Sequence, residues 1–234
     1  MMTAVVLQAR LDSTRLPGKS LLPLGGKPLV LRVMEALKGV RGDRYVLACP
    51  EDCVVAFGPL AEQAGFDLLG GSKEDVLSRY GDAVRRFGID RLIRATADNP
   101  FVFADAANVL NQEALDRKAD YAGYSGLPHG AGVESVAAEA LLRAEREAAF
   151  KPEREHVCPY LYTHPEWFLL HRPLAPLVWQ APSLRISIDT PEDYQRAQVL
   201  FETLHREPGS HPFRGETIIT AYRKALFPSG DELP

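Results

Sequence analysis

The chain is poor in cysteine and lacks the glycine-rich signatures that usually announce a nucleotide site. Its three cysteines, Cys49, Cys53 and Cys158, are odd in number and form no C-x-x-C pair. Neither a disulfide framework nor a zinc centre is therefore indicated, and the three read as reduced, partly buried thiols. No G-x-x-x-x-G-K-[ST] occurs and no G-x-G-x-x-G follows the first apolar run, which excludes a P-loop and a dinucleotide fingerprint. No apolar stretch approaches the ~20 residues of a membrane span. The first apolar run is short, ends at Arg10 and follows no basic leader, so no signal peptide is expected and the expected location is cytoplasmic. A large charge excess is missing too: the formal net charge is −4 and the pI about 5.9. Nucleic acid and membrane surfaces are accordingly poor partners.

What is present is an ordinary globular balance, 46% hydrophobic and 25% charged over 234 residues. That length suffices for a full core without disulfides or metals, and predicts one domain over residues 1–234, with a small excursion lobe at 121–171. Apolar runs alternate with helix-length amphipathic segments. Strands are expected at Thr3–Gln8, Arg44–Cys49, Phe66–Leu69 and Asp90–Thr96. Helices are expected at Pro28–Gly39, Glu51–Ala64 (broken or kinked near Gly58-Pro59), Glu74–Phe87 and Ala104–Arg117. This order predicts an α/β, Rossmann-like, mostly parallel sheet with helices on both faces. Beyond Asp120 the pattern loosens into a glycine-rich loop-and-strand excursion over Tyr121–Val136. Helices at Ala137–Phe150 and Glu153–Thr163 and a strand at Trp167–His171 come next. A late strand at Leu184–Asp189, a helix at Pro191–His205, a Pro/Gly break and a last helix at Glu216–Leu226 complete the order of elements.

Three segments carry chemistry. Residues 8–19 read Gln-Ala-Arg-Leu-Asp-Ser-Thr-Arg-Leu-Pro-Gly-Lys, directly after the apolar run Ala4–Leu7. From Arg10 to Lys27 four cations face one acid, a net of +3 on an acidic protein. A nucleoside triphosphate carries about four negative charges and needs fixed cations and oriented donors. Arg10 and Arg15 can fork onto phosphate oxygens, and Lys19 supplies a point charge. A solvated surface loop is the alternative. The second segment, Arg94-Ala-Thr-Ala-Asp98-Asn-Pro100, places a carboxylate after an apolar strand, at the sheet edge where α/β folds bind ligands. Mg²⁺ is usually held by one or two carboxylates plus substrate phosphates, although Asp98 equally suits a turn or cap. The third segment is Arg185-Ile-Ser-Ile-Asp189-Thr-Pro-Glu-Asp193. Helix capping accounts for Thr190, Glu192 and Asp193 and leaves Asp189 as the candidate second metal carboxylate.

Together these segments resemble the sugar cytidylyltransferases, in particular the branch similar to spore-coat polysaccharide biosynthesis cytidylyltransferases, related to the 3-deoxy-manno-octulosonate and acylneuraminate cytidylyltransferases. Residues Gln8–Lys19 look like the family's nucleotide loop nearly letter for letter, and Gly25-Gly26-Lys27-Pro28-Leu29 matches the family's next stretch. The segments Gly71-Ser72-x-x-Asp75-Val76-Leu77-x-Arg79-Tyr80, Asp98-Asn-Pro100, Arg154-Glu-His156-Val-x-Pro159-Tyr160 and Asp189-Thr-Pro-Glu-Asp193 come in the family's order. The resemblance implies a nucleotide-diphospho-sugar transferase fold, CTP, Mg²⁺ and transfer of CMP to a sugar or sugar-acid hydroxyl with release of pyrophosphate. It implies nucleotide binding by Gln8, Ala9, Arg10, Ser13, Thr14, Arg15 and Lys19, with Arg10, Arg15 and Lys19 holding the triphosphate and Ser13 and Thr14 adding donors, and contact of Ser72 with the base or ribose. It makes Asp98 and Asp189 the metal ligands and Arg10, Lys19 and Asp98 the catalytic set. His129, Glu134 and Arg154 are the acceptor candidates, and a homodimer is expected through residues 121–171. One departure is Ala97, where many relatives carry glycine, so a methyl group crowds the position before Asp98. Two other readings compete: a UTP- or dTTP-dependent nucleotidyltransferase, whose relatives usually open with a glycine-rich loop, and a nucleotide-binding protein without turnover.

Overall fold

The computed structural model describes residues 1–206 and 212–226; the expected Pro/Gly break after His205 lies largely outside them. Seven strands form one sheet in the order β5-β4-β1-β6-β8-β7-β9. These are β1 (Thr3–Gln8), β4 (Arg44–Pro50), β5 (Asp67–Gly71), β6 (Arg91–Thr96), β7 (Tyr121–Ala122), β8 (Glu134–Ala137) and β9 (Leu170–His171). A separate two-stranded hairpin pairs β2 (Pro23–Leu24) with β3 (Lys27–Pro28). β5, β4, β1 and β6 run parallel, whereas β8 is antiparallel to both β6 and β7.

The parallel strands are buried on both faces, which is why β1 reads as a continuous apolar run rather than an alternating one. Alternate residues still separate by face. Val5, Leu7, Leu47, Cys49 and Ile93 pack against α1 (Leu29–Leu37), α2 (Val54–Ala64), α4 (Ala104–Asp116), α8 (Pro191–Arg206) and α9 (Gly215–Leu226). Ala4, Val6, Val46, Ala48 and Leu92 pack on the opposite face against α3 (Val76–Phe87), α5 (Ala138–Glu147) and α7 (Pro159–Thr163). The chain leaves β1 toward β4 and β5 and then returns to β6 on the other side of β1. The resulting switch point sets Gln8 beside Thr96, and the crevice outside those strand ends is where such sheets bind ligands.

Three local expectations need correction. Leu184–Asp189 is not a sheet strand. The flank of β6 is already taken by β8, from Arg91↔Ala137 to Arg94↔Glu134. The late segment instead forms an isolated bridge at His129↔Arg185, and its Ile188 N–H donates to the Asp98 carbonyl at 2.8 Å. Its alternation was a burial signal: Leu184, Ile186 and Ile188 are all core residues. The expected helix over Glu153–Thr163 is two, α6 (Lys151–His156) and α7, separated where Val157 takes a φ of 73°. Pro159, at the first position of α7, has no N–H with which to continue α6. Conversely, α2 runs unbroken through Pro59. The bond that proline forgoes would go to Val55, which is 89% exposed, so water can satisfy that carbonyl.

Gly130 is the tightest joint between the late segment and the sheet. Its φ is 97°, and a Cβ there would lie 2.6 Å from the Ser187 backbone nitrogen. Both strain and overlap oppose a side chain. Gly130→Ala is expected to cost about 2 kcal/mol or more in urea unfolding; a change within about 0.5 kcal/mol would show that residues 184–189 are free to shift.

Candidate active site

The loop after β1 folds back on itself before it reaches the site. Ser20 is buried and its hydroxyl donates to the Arg10 carbonyl at 2.8 Å. Gly18, at φ 67°, turns the chain into a short 3-10 turn over Lys19–Leu21. A left-handed residue is cheap there only because it is glycine. The turn aims Lys19 across the ends of β1 and β6. Its Nζ lies 3.0 Å from Asp189 Oδ1, 3.4 Å from Asp98 Oδ2 and 2.9 Å from the Ile188 carbonyl oxygen. All three ammonium protons are thereby used.

Asp98 arrives from the end of β6, where the Ala97 N–H donates to the Gln8 carbonyl at 3.0 Å. Asp189 arrives from the segment before α8. Asp193, in the first turn of α8, accepts from the N–H groups of Asp189 and Thr190, both at 3.0 Å, while the Thr190 hydroxyl accepts from Asp193 N–H at 3.2 Å. This reciprocal cap locks the peptide that carries Asp189. Arg15 and Arg185 also pair with Asp189, at 3.0 and 2.5 Å. Burial pushes the Asp189 carboxyl up, but Lys19, Arg15 and Arg185 outweigh it and hold the group below its usual 3.8. Asp193 is likewise lowered: burial opposes ionisation, while the two backbone N–H groups and the Arg185 and Arg196 charges favour it more strongly.

A cleft of about 460 Å³ opens over this cluster. Gln8, Ala9, Arg10, Ser13, Thr14, Arg15, Lys19, Asp98 and Asp189 all line it. So do Lys73, Lys151 and His156, which sequence reasoning missed. Lys73 was legible as the neighbour of Ser72, and Lys151 and His156 lie on a helix whose facing no local pattern reveals. Lys73 Nζ sits 3.0 Å from Asp12 Oδ2 and ties the β5–α3 connection to the loop after β1.

Ser72 does not line the cleft. Its hydroxyl accepts from Asp75 N–H at 3.0 Å, just before the α3 cap made by Asp75 itself. Arg154 does not line the cleft; it donates to Asp75 Oδ2 at 2.7 Å and to the Glu145 and Ala148 carbonyls at 2.9 Å, pinning α6 to α3 and α5. His129 is exposed, with Nδ1 3.1 Å from the Ser187 hydroxyl, and its carbonyl accepts from Ile186 N–H at 2.9 Å.

Glu134 lies in a second cavity, of about 670 Å³, that also includes Thr96, Asn99, Tyr124 and Arg172. Its oxygens are already engaged: Tyr121 donates to Oε1 at 2.7 Å and Arg94 to Oε2. Arg94 and Glu134 are directly opposed across β6 and β8. Burial disfavours the Arg94 charge, but Glu134 more than compensates and raises its pKa. The second Arg94 amino group donates to Gln8 Oε1 at 3.0 Å. Arg94 and Thr96 line both cavities and form the partition between them.

Among the described residues no group of three or more His, Cys, Asp or Glu side chains is placed to hold a metal. Two carboxylates do converge, and Asp98 Oδ1 is buried with no hydrogen-bond partner. That donor set fits a hard divalent cation whose remaining ligands come from phosphate and water.

The family model for cytidylyltransferases matches residues 4–225. The chain belongs to the cytidylyltransferase family. It is a nucleotidyltransferase, and a relative, the spore coat polysaccharide biosynthesis protein SpsF of Bacillus subtilis (strain 168), is 34% identical over 212 residues, covering 87% of this chain and 88% of that protein. A cytidylyltransferase structure from Leptospira borgpetersenii superposes with a TM-score of 0.88 at 24% identity, covering 100% of this chain and 99% of that one. CMP:2-keto-3-deoxy-manno-octonic acid synthetase, solved with CTP, has a TM-score of 0.67 at 17% identity over 86% of this cytidylyltransferase and 99% of its own chain. These likenesses bear out the sugar-nucleotidyltransferase fold. No helix among the described residues is long and apolar enough to cross a membrane.

The depressed carboxyls set a pH dependence. A carboxyl whose folded pKa is lowered contributes stability fully above its ordinary value and loses it as pH falls through the folded value. For Asp189 and Asp193 that window lies below 3.8. Asp193→Asn is expected to lose about 1–2 kcal/mol at pH 7 by urea unfolding, and the gap to the unmodified protein should close as pH drops well under 3.8. A gap that persists unchanged at pH 2.5, roughly one unit or more into that window, would mean the charge is not what stabilises the cap.

Proposed function

We propose that this cytidylyltransferase transfers CMP from CTP to a hydroxyl of a sugar or sugar acid and releases pyrophosphate, with Mg²⁺ held by Asp98 and Asp189. The observation that carries this reading is the convergence of Lys19 with both carboxylates at the strand ends, between the cationic loop and the second cavity. Arg10, Arg15 and Lys19 would neutralise the triphosphate, and Gln8, Ala9, Ser13 and Thr14 would supply hydroxyl, amide or backbone contacts around it. The Mg²⁺ ion, when bound, supplies Lewis-acid neutralisation of phosphoryl charge. Such displacements depend mainly on positioning and charge stabilisation, with little covalent work by the protein.

The second cavity is the acceptor site in this reading. It is lined by Asn99, the neighbour of Asp98 in the chain, and shares Arg94 and Thr96 with the nucleotide cleft, so an acceptor hydroxyl there can approach the α-phosphate. Glu134 then acts by holding Arg94 rather than by reading the sugar, because both its oxygens are engaged. Arg154 acts at a distance by fixing α6, which presents Lys151 and His156 to the cleft. The base and ribose would meet the Lys73–Glu74 stretch rather than the Ser72 hydroxyl. Exposed Trp167 and Leu169 beside the edge strand β9 support a homodimer.

At 100 times its dissociation constant a ligand adds about 2.7 kcal/mol. CTP with Mg²⁺ should accordingly raise the melting temperature by roughly 5–10 °C, more than UTP, dTTP or ATP at equal concentration. Equal shifts for all four would remove the base assignment. In a pyrophosphate-release assay run across a panel of acidic and neutral sugars, Asp98→Ala should lose at least about 100-fold in rate with its circular dichroism unchanged. Undiminished turnover would refute the metal role.

A further inference from the structure

Lys19 is bonded to the two groups it would have to release. Its ammonium nitrogen lies among three oxygens, Asp189 Oδ1 at 3.0 Å, Asp98 Oδ2 at 3.4 Å and the Ile188 carbonyl at 2.9 Å. Two carboxylates and a carbonyl are the donors a hard divalent cation takes. We propose that Lys19 occupies the cation position of the nucleotide-free site, so that the metal site comes into being only when a nucleoside triphosphate draws Lys19 away. The inference rests on the metal role of Asp98 and Asp189 proposed above.

Charge supports this assignment. Lys19, Arg15 and Arg185 face the carboxylates of Asp98 and Asp189. With Asp193 and its partner Arg196 included, four cations against three anions leave a surplus of one positive charge before any metal arrives. A divalent ion entering that cluster would meet repulsion, and three of the four carboxylate oxygens are already bonded. Donor count points the same way: no third acidic, His or Cys ligand joins the pair among the described residues, so water or phosphate must complete the shell. The unpartnered, buried Asp98 Oδ1 is an acceptor left over once Lys19 has used Oδ2.

A triphosphate reverses both conditions. Its charge outweighs the surplus, it offers Lys19 and Arg15 new anionic partners, and it brings the missing oxygen ligands. Nucleotide and metal affinity are then coupled, and the coupling is reciprocal by thermodynamic necessity. The order of assembly becomes a property of one side chain: a site that stays closed to free divalent ions until its nucleotide is present.

The test uses the nucleotide-free full chain, Mn²⁺ as probe, and electron paramagnetic resonance of the unbound aqua ion as readout. Lys19→Met is expected to bind one Mn²⁺ at least about tenfold more tightly than the unmodified protein, and adding Asp98→Asn to that variant should abolish the gain. A gain of affinity on removing a side chain is not produced by general damage. Lys19→Gln, close in length and uncharged, serves as the second variant if Lys19→Met does not show a native circular dichroism spectrum. The proposal is overturned if the unmodified protein binds Mn²⁺ as tightly as the variants, if neither variant gains, or if the gain survives Asp98→Asn. CTP binding measured by calorimetry in EDTA and again with Mg²⁺ separates the two levels. A protein that binds CTP while its Lys19 variants gain no Mn²⁺ site, or that binds CTP only with Mg²⁺, keeps the proposed function and loses this inference. A protein that binds no CTP even with Mg²⁺ loses the proposed function itself.

Discussion

The ammonium group of Lys19 joins three parts of the chain that lie far apart in sequence. The loop after β1, the end of β6 and the segment before α8 meet through bonds to Asp98, Asp189 and the Ile188 carbonyl. Lys19 and Asp189 are 170 positions apart, and closing so long a loop carries an entropic cost that local interactions cannot offset. The sheet meets most of that cost. β1 and β6 pair along their whole lengths, the late segment is seated by Leu184, Ile186 and Ile188 in the core, and the ion cluster forms where these buried elements end. The polar site is thus a consequence of apolar packing, and its charges sit where the hydrophobic surface runs out.

A second polar chain divides the ligand space. Gln8, Arg94, Glu134 and Tyr121 hand hydrogen bonds across the strands of the sheet. A buried cation of this kind is tolerated only when paired and satisfied, and the antiparallel entry of β8 places Glu134 directly opposite Arg94. The same antiparallel strand keeps the late segment out of the sheet and leaves it free to carry Asp189 to the cleft. One topological choice therefore shapes both the partition between the cavities and the position of the second carboxylate.

The apolar run of β1, the strand–helix alternation to Arg117, the cationic loop and the carboxylate just after β6 were legible because each is a local pattern with a local cause. Side-chain use was less legible. The Ser72 hydroxyl is taken up beside an N-cap, Arg154 is spent on Asp75 and two carbonyls, and His129 is turned to Ser187, whereas Lys151 and His156 reach the cleft from a six-residue helix whose start and facing the expected Glu153–Thr163 helix did not give. A polar side chain bonds to whatever folding brings nearest, and its neighbours in sequence rarely say what that will be.

By itself the sequence determined the alternation of strands and helices as far as Arg117 and the residue types of the candidate site, three cations and two carboxylates. Periodicity and residue type are properties of short stretches, and the hydrophobic effect acts on them directly. Only the tertiary structure decided that Asp98 and Asp189 share one ammonium ion, that Arg94 stands between two cavities, and that the alternating segment before α8 is buried without being a strand. Those outcomes depend on which flank of β6 is already occupied, and that competition is settled only when the whole sheet has formed.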